Sequence, residues 1–231
     1  MATIPGSQFV AASSGQPLNI AGPEQGMSLP SPVAGAFNLA LFGTMTNASP
    51  VPQSGYQGVA VLSPSGLELD LIAGAFAVTD DGAGSDTITA GSGSDTINVS
   101  ASFDTIDGGT GPTEIIAVVG ASDFINLGTG SDTVAVSGSA DTVTAGAAAG
   151  SNQGLVTFSG SNMTFVDGGA QFADTVVGFD QAAGDRIHLT NGDTVATSTQ
   201  VNGGQDTLIT LSDNSTILLK GITHVDGSFF S

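Results

Sequence analysis

The sequence of 231 residues contains no cysteine, no tryptophan and one tyrosine, and only two of its residues are basic. The absence of cysteine excludes disulfide bonds and thiol catalysis. With 21 acidic residues the net charge is −19. This charge excludes nucleic acid as a partner, because phosphate binding requires clustered lysine and arginine. No apolar run approaches the ~20 residues of a membrane span, so we expect no membrane insertion.

Residues suited to acid–base catalysis are also scarce. Only His188 and His224 could act as bases near neutral pH. Neither lies in an H-E-x-x-H motif, and neither a G-x-S-x-G motif nor a P-loop occurs. A reaction requires several groups with defined roles in one pocket. We therefore expect that the protein is not an enzyme and has no small-molecule substrate.

A repeat of nine residues runs through residues 81–144. Its blocks read DGAGSDTIT, AGSGSDTIN, VSASFDTID and GGTGPTEII, and after one extra residue, Ala117, they continue as VVGASDFIN, LGTGSDTVA and VSGSADTVT. Aspartate fills the sixth place of every block except the fourth, which has Thr113. A branched aliphatic residue follows two places later: Ile88, Ile97, Ile106, Ile115, Ile125, Val134 and Val143. A fixed short period of this kind indicates a solenoid.

The spacing within a block predicts a turn followed by a very short strand. Six residues rich in glycine, serine and alanine suit a tight turn, and the remaining three suit a strand whose central aliphatic side chain points inward. Two blocks then complete one coil, so blocks on the same edge of the solenoid alternate. One edge therefore carries Asp86, Asp104, Asp123 and Asp141, and the other carries Asp95 and Asp132.

Carboxylates stacked at strand spacing, ~4.8 Å, repel one another unless a positive charge lies between them. Arg186 and Lys220 are too few to provide that charge. A hard cation with oxygen ligands can provide it, and Ca²⁺ accepts carboxylate and backbone carbonyl oxygens in flexible geometry.

The blocks resemble the RTX nonapeptide G-G-x-G-x-D-x-U-x, whose family forms calcium-binding parallel β-rolls. The likeness is closest in residues 82–86, 91–95 and 128–132. It departs in residues 99–104, which have no glycine, and in residues 108–113, which have no aspartate. The resemblance implies Ca²⁺ as cofactor and export of a bacterial protein by a type I secretion machinery. The candidate ligands are Asp81, Gly82, Gly84, Asp86, Gly91, Gly93, Asp95, Asp104, Gly109, Gly111, Asp123, Gly128, Gly130, Asp132 and Asp141.

Composition divides the chain into three parts. Residues 1–80 hold eight of the nine prolines and predict short strands, which form either a cap on the solenoid or an arm that adds a strand to another subunit. Residues 81–173 are the repeats. Residues 174–231 resemble the segment that closes RTX β-rolls and predict a hairpin over 206–222. Residues 225–231 look like an uncleaved type I secretion signal; the alternative is an ordinary terminal strand.

We expect an all-β protein, a parallel β-roll or β-solenoid with an N-terminal β cap or arm and a C-terminal hairpin cap. The expected function is structural: a secreted, calcium-dependent protein that self-assembles into an extracellular fibre, surface layer or biofilm matrix. Its partners are then further copies of itself. An alternative is an ice- or surface-binding adhesive module, because threonines recur beside the aliphatic residues on the predicted outer face. They are Thr87, Thr96, Thr105, Thr133 and Thr142.

Overall fold

The computed structural model of the chain describes residues 18–21, 31–42, 55–61, 66–71, 75–146, 153–169 and 172–231. Short strands account for most of the regular structure in these residues. Three 3₁₀ helices of three residues each lie at Gln181–Ala183, Asn202–Gly204 and Gly227–Phe229. The strands are β1 (Leu18–Ala21), β2 (Phe37–Phe42), β3 (Gly58–Val61), β4 (Glu68–Asp70), β5 (Ala77–Asp80), β6 (Thr87–Thr89), β7 (Thr96–Val99), β8 (Thr105–Asp107), β9 (Ile115–Ala121), β10 (Phe124–Asn126), β11 (Thr133–Ser139), β12 (Thr142–Thr144), β13 (Leu155–Phe158), β14 (Thr164–Val166), β15 (Ala173–Val177), β16 (Arg186–His188), β17 (Val195–Val201), β18 (Asp206–Leu211) and β19 (Thr216–Leu219).

The chain winds between two sheets that face each other. From β3 to β16 successive strands alternate between a twelve-stranded and a seven-stranded sheet. Each strand pairs in parallel with the equivalent strand of the next coil, so Ala77, Thr96 and Ile115 are aligned. Equivalent residues in these coils lie 19 positions apart. The molecule is therefore a β-solenoid in which two nine-residue blocks make one coil, and the predicted all-β solenoid fold is confirmed.

The core consists of columns of stacked aliphatic side chains between the sheets. Strand residues alternate between the inside and the outside, because successive side chains of a strand point to opposite faces. Burying one Val or Ile stabilises the fold by about 1.5–3 kcal/mol. The seven-stranded sheet contributes Leu69, Ile88, Ile106, Ile125, Val143, Phe165 and Ile187, and the twelve-stranded sheet contributes Val59, Val78, Ile97, Ile116, Val134, Val156 and Val176.

The fourth block departs from the predicted register by one residue. Ile115 was predicted to be buried, but it lies on the outer face and is 55% exposed, whereas Ile116 is buried beside Ile97. The extra residue of this block is therefore accommodated in the turn before Glu114, and not at Ala117. The longer turn lets β9 keep its pairing with β7 and β11.

The strands described in residues 1–80 belong to the same two sheets as the repeats. β1, β2, β3 and β5 lie side by side in the twelve-stranded sheet, and β4 pairs with β6 in the other sheet. Parts of the predicted arm or cap, residues 1–17, 22–30, 43–54, 62–65 and 72–74, lie outside the described residues.

The C-terminal part adds antiparallel strands to the twelve-stranded sheet. β18 and β19 form the predicted hairpin, and β19 pairs in parallel with β15. β17 pairs with β18 and forms the edge of the sheet. The last residues lie beside β16, where Phe230 bridges to Ile187 and the ring of Phe229 stacks on Phe179 at 5.7 Å.

Candidate metal centre

Carboxylate side chains form two columns along the solenoid. Each column lies where the turns of successive coils lead into the strands of one sheet. The first column, Asp86, Asp104, Asp123 and Asp141, occupies the position immediately before successive strands of the seven-stranded sheet. The second column, Asp95, Glu114 and Asp132, occupies the same position in the other sheet. All seven side chains are at most 2% exposed. The repeat therefore places the predicted aspartates on the two edges expected from the alternation of blocks.

One oxygen of each carboxylate in the first column accepts a backbone hydrogen bond from the preceding coil. The amide of Leu67 donates to Asp86 Oδ1 at 2.6 Å, and the amide of Asp86 donates to Asp104 Oδ1 at 2.8 Å. The amides of Asp104 and Asp123 donate in the same way to Asp123 and Asp141, each at 2.9 Å. Each carboxylate thus links its own coil to the preceding coil by accepting a hydrogen bond from a backbone amide.

The turns before these carboxylates share a left-handed residue. Ser85, Phe103, Ser122 and Ala140 have φ between 62° and 66°, and each directly precedes a carboxylate. This conformation costs a non-glycine residue about 1–2 kcal/mol. It persists here because the amides of these residues donate to carbonyls of the next coil, as Phe103 does to Ala121 at 3.1 Å. Stacking of equivalent turns therefore fixes the direction of each carboxylate.

The second column contains Glu114, which the sequence analysis did not select. The amide of Asp95 donates to Glu114 Oε2 at 2.5 Å, and the amide of Glu114 donates to Asp132 Oδ1 at 2.8 Å. Thr113, which the nine-residue count placed in this position, instead contacts Ser94 through its hydroxyl group. The signal for Glu114 was the aliphatic residue two places later, Ile116, because every acid of the column stands two places before a buried aliphatic residue.

The other oxygen of most of these carboxylates has no hydrogen-bond partner within the described part of the chain, although it is buried. Such an atom is destabilising unless a cation or a proton compensates it. Lys220 pairs with Asp206 at 2.7 Å, and Arg186 donates to the carbonyl oxygens of Gln181 and Asp185, so neither base serves the columns. The carboxylates with an unpaired buried oxygen are Asp80, Asp86, Asp95, Asp104, Glu114, Asp123, Asp141 and Asp174.

Burial raises the pKa of every carboxyl group in both columns. The pKa of Glu114 rises to about 7 and those of Asp123 and Asp132 to about 6, mainly because burial removes the charged form from water. Neighbouring carboxylates add to the increase at Glu114 and Asp123. The same cause raises the pKa of Asp174 to about 6 and that of Asp80 to about 7. The columns therefore form two strips of desolvated negative charge.

The predicted glycines bring backbone carbonyls close to these strips. A Cβ atom at Gly111 would collide with the carbonyl oxygen of Gly93 and with Glu114 Oε1. At Gly130 it would meet the carbonyl oxygen of Gly111 and Asp132 Oδ1. Gly84, Gly109 and Gly128 likewise lie against backbone atoms of the next or the preceding coil. The turns thus hold carbonyl and carboxylate oxygens together, which is the donor set that Ca²⁺ uses.

The remaining predicted metal ligands, Gly82, Gly91 and Asp81, lie at the ends of the turns. The carbonyl of Gly91 accepts from the amide of Thr110, and the amide of Gly82 donates to Asp80 Oδ1 at 2.9 Å. Asp81 is exposed and accepts from the Ser100 hydroxyl group. Asp80, its neighbour, is fully buried, and it was not among the sequence candidates.

No protein-family model, curated protein or solved structure matches this chain. Among the residues that the structure describes, no helix is long and apolar enough to cross a membrane. His188 and His224, the two residues considered as bases, are both exposed, and His188 Nδ1 lies 3.0 Å from the carbonyl oxygen of Ser231. The carboxylate columns are therefore the candidate functional site.

Proposed function

We propose that this protein is a calcium-dependent structural β-solenoid of the RTX β-roll type. The observation that carries the proposal is the pair of columns, in which six of the seven carboxylates have one buried oxygen without a partner among the described residues. Ca²⁺ takes about six to eight oxygen ligands and tolerates irregular geometry. The residues that would hold it are the acids of the two columns together with carbonyls of the glycine-rich turns.

Calcium binding would then be coupled to folding. Without a cation, the desolvated carboxylates oppose stacking of the coils. With Ca²⁺ in the turns, its binding free energy contributes to the stability of the folded state, since the unfolded chain has no preformed site. Such coupling suits a protein that stays unfolded where Ca²⁺ is scarce and folds outside the cell. Export by a type I machinery and an extracellular location belong to the same proposal.

Self-assembly into a fibre, layer or matrix is the structural role we propose. The edge strand β17 is exposed along almost its whole length and contains no charged residue. Edge strands of this kind can pair with another chain. The net charge of −19 opposes such contacts until cations reduce the repulsion between copies.

A titration from chelator into millimolar Ca²⁺, followed by far-ultraviolet circular dichroism and light scattering, tests the proposal. We expect β-structure and particle size to rise together, and chelator to reverse the gain in β-structure. A rise in β-structure with a monomeric protein would contradict self-assembly and leave calcium-dependent folding. If neither signal responds, the calcium proposal is wrong.

The outer face of the seven-stranded sheet supports a second candidate, an ice- or surface-binding module. Thr87, Thr105, Thr142 and Thr164 form one outward column, which Phe124 interrupts. Thr96 and Thr133, which were predicted on the same face, lie in the twelve-stranded sheet. A flat row of threonines can present regularly spaced methyl and hydroxyl groups. Thermal hysteresis in the monomeric, calcium-loaded protein would favour this candidate, and its absence would contradict ice binding.

A further inference from the structure

Asp80 is a charged residue in a column that is otherwise apolar. It is the last residue of β5 and aligns with Val61 of β3 and Val99 of β7. Val118, Val136 and Phe158 continue the same column in later coils. Asp80 is on the same face of its strand as Val78, and both are fully buried. A valine would fit this position by the pattern of the column, so packing does not explain the aspartate.

The hydrogen bonds of Asp80 do not compensate its burial. Its Oδ1 accepts from the Gly82 amide at 2.9 Å, and its Oδ2 has no donor within the described residues, since it can bond to the neighbouring Asp86 carboxyl group only if one of the two is protonated. A buried carboxylate with a free oxygen destabilises the folded state unless it is neutralised or binds a metal. The free oxygen therefore points to a ligand.

Two further carboxylates converge on Asp80. One oxygen each from Asp80, Asp86 and Asp104 lies within 4.8 Å of the other two, and all three residues are buried. Asp86 and Asp104 also have an unpaired Oδ2, because their Oδ1 atoms accept backbone amides. In the next coil, Val99 takes the place of Asp80, so the pair formed by Asp104 and Asp123 lacks a third carboxylate from the strand.

We propose that Asp80, Asp86 and Asp104 form a three-carboxylate site for a divalent cation, distinct from the two-column sites because a strand residue from the core completes it. Its ligands come from the end of β5, from the turn that follows and from the turn of the next coil. One ion would therefore join the last strand before the repeats to the first two repeat coils. A larger ligand charge generally increases the affinity for Ca²⁺, so this site fills before the others. The inference rests on the proposed calcium dependence of the fold and adds a residue and an order of filling to it.

The variants Asp80→Val and Asp80→Asn test the site, with Asp70→Asn as a control that removes the same charge from the outer face of β4. Calorimetric titration with Ca²⁺ should show that both Asp80 variants lose the tightest binding event or weaken it at least tenfold, while the control keeps it. Thermal unfolding in chelator should rank the proteins differently from Ca²⁺ affinity. There Asp80→Val should melt at a higher temperature than the wild type, because an uncompensated buried charge is removed.

The outcomes separate this inference from the proposed function. Wild-type protein that binds no Ca²⁺ would contradict both. Wild-type binding that Asp80→Val and Asp80→Asn leave unchanged would contradict the three-carboxylate site alone. A loss of stability in Asp80→Val that is equal in chelator and in Ca²⁺ would show a purely structural role and would also overturn the site.

Discussion

At the scale of single residues, the close stacking of turns makes some glycines irreplaceable for reasons of space. Gly120 lies in β9 and pairs with Gly138 of β11. A Cβ atom at Gly120 would collide with the carbonyl oxygen of Ala101 and would lie 2.5 Å from Asp123 Oδ2. One methyl group would therefore push a turn and a carboxylate of the first column apart.

We predict that Gly120→Ala destabilises the protein by about 1–3 kcal/mol, the range for overpacking a close-packed site. Gly227→Ala is the matched control, because a Cβ atom there meets nothing within 4 Å. Chemical denaturation in the presence of Ca²⁺ measures both changes. Equal stability of the two variants would show that the turns do not stack as closely as described.

Site residues that recur at a fixed place in the repeat could be predicted from the sequence. Site residues whose burial is set by strand pairing could not. The first-column aspartates follow from the nine-residue period alone. Glu114 was missed because an inserted residue can be placed on either side of it until the pairing of Ile116 with Ile97 is known. Asp80 was missed because it stands outside the repeat, and its burial follows only from its alignment with Val61 and Val99.

At the scale of elements, the short strands of the repeats were predictable because alternation and turn composition agree. The hairpin β18–β19 was predictable for the same reason, with its turn at residues 212–215. The edge position of β17 was not predictable, since its seven residues, six exposed and one half-buried, carry no apolar alternation. Its place in the sheet depends on the neighbouring hairpin.

The exposed edge of β17 leads to a prediction about assembly. Lysine on an edge strand opposes pairing with another chain. We predict that the double variant Thr197→Lys, Thr199→Lys reduces the calcium-induced particle size and leaves the circular dichroism unchanged. Thr133→Lys, on the exposed face of β11, is a control for an added lysine away from the edge. Light scattering that is the same for all these proteins would exclude β17 as the contact.

At the scale of the whole molecule, stability without metal should increase as the pH falls. The folded-state pKa is about 7 for Asp80 and Glu114 and about 6 for Asp123, whereas unfolded carboxyl groups titrate near about 4. Protons therefore bind the folded chain more tightly than the unfolded chain. This contribution to stability is complete below about pH 4 and is lost as the pH rises through about 6 to 7.

We predict that in chelator the melting temperature is higher at about pH 5 than at about pH 7.5. The stabilisation by added Ca²⁺ should change in the opposite direction and decrease at the lower pH, since protons and Ca²⁺ compete for the same oxygens. Thermal unfolding at both pH values, with and without Ca²⁺, measures the two effects. A metal-free protein that is less stable at the lower pH would show that the buried carboxylates are compensated in another way.

The hydrogen bonds that the column carboxylates make between coils run in one direction only. In both columns the amide donor belongs to the earlier coil and the carboxylate acceptor to the later one. A cut between two coils would therefore leave column amides without an acceptor on one surface and column carboxylates without a donor on the other. In these carboxylate bonds, each surface complements the other and neither complements itself. Copies that stacked through this geometry would all point the same way, and the resulting filament would be polar, with chemically different ends.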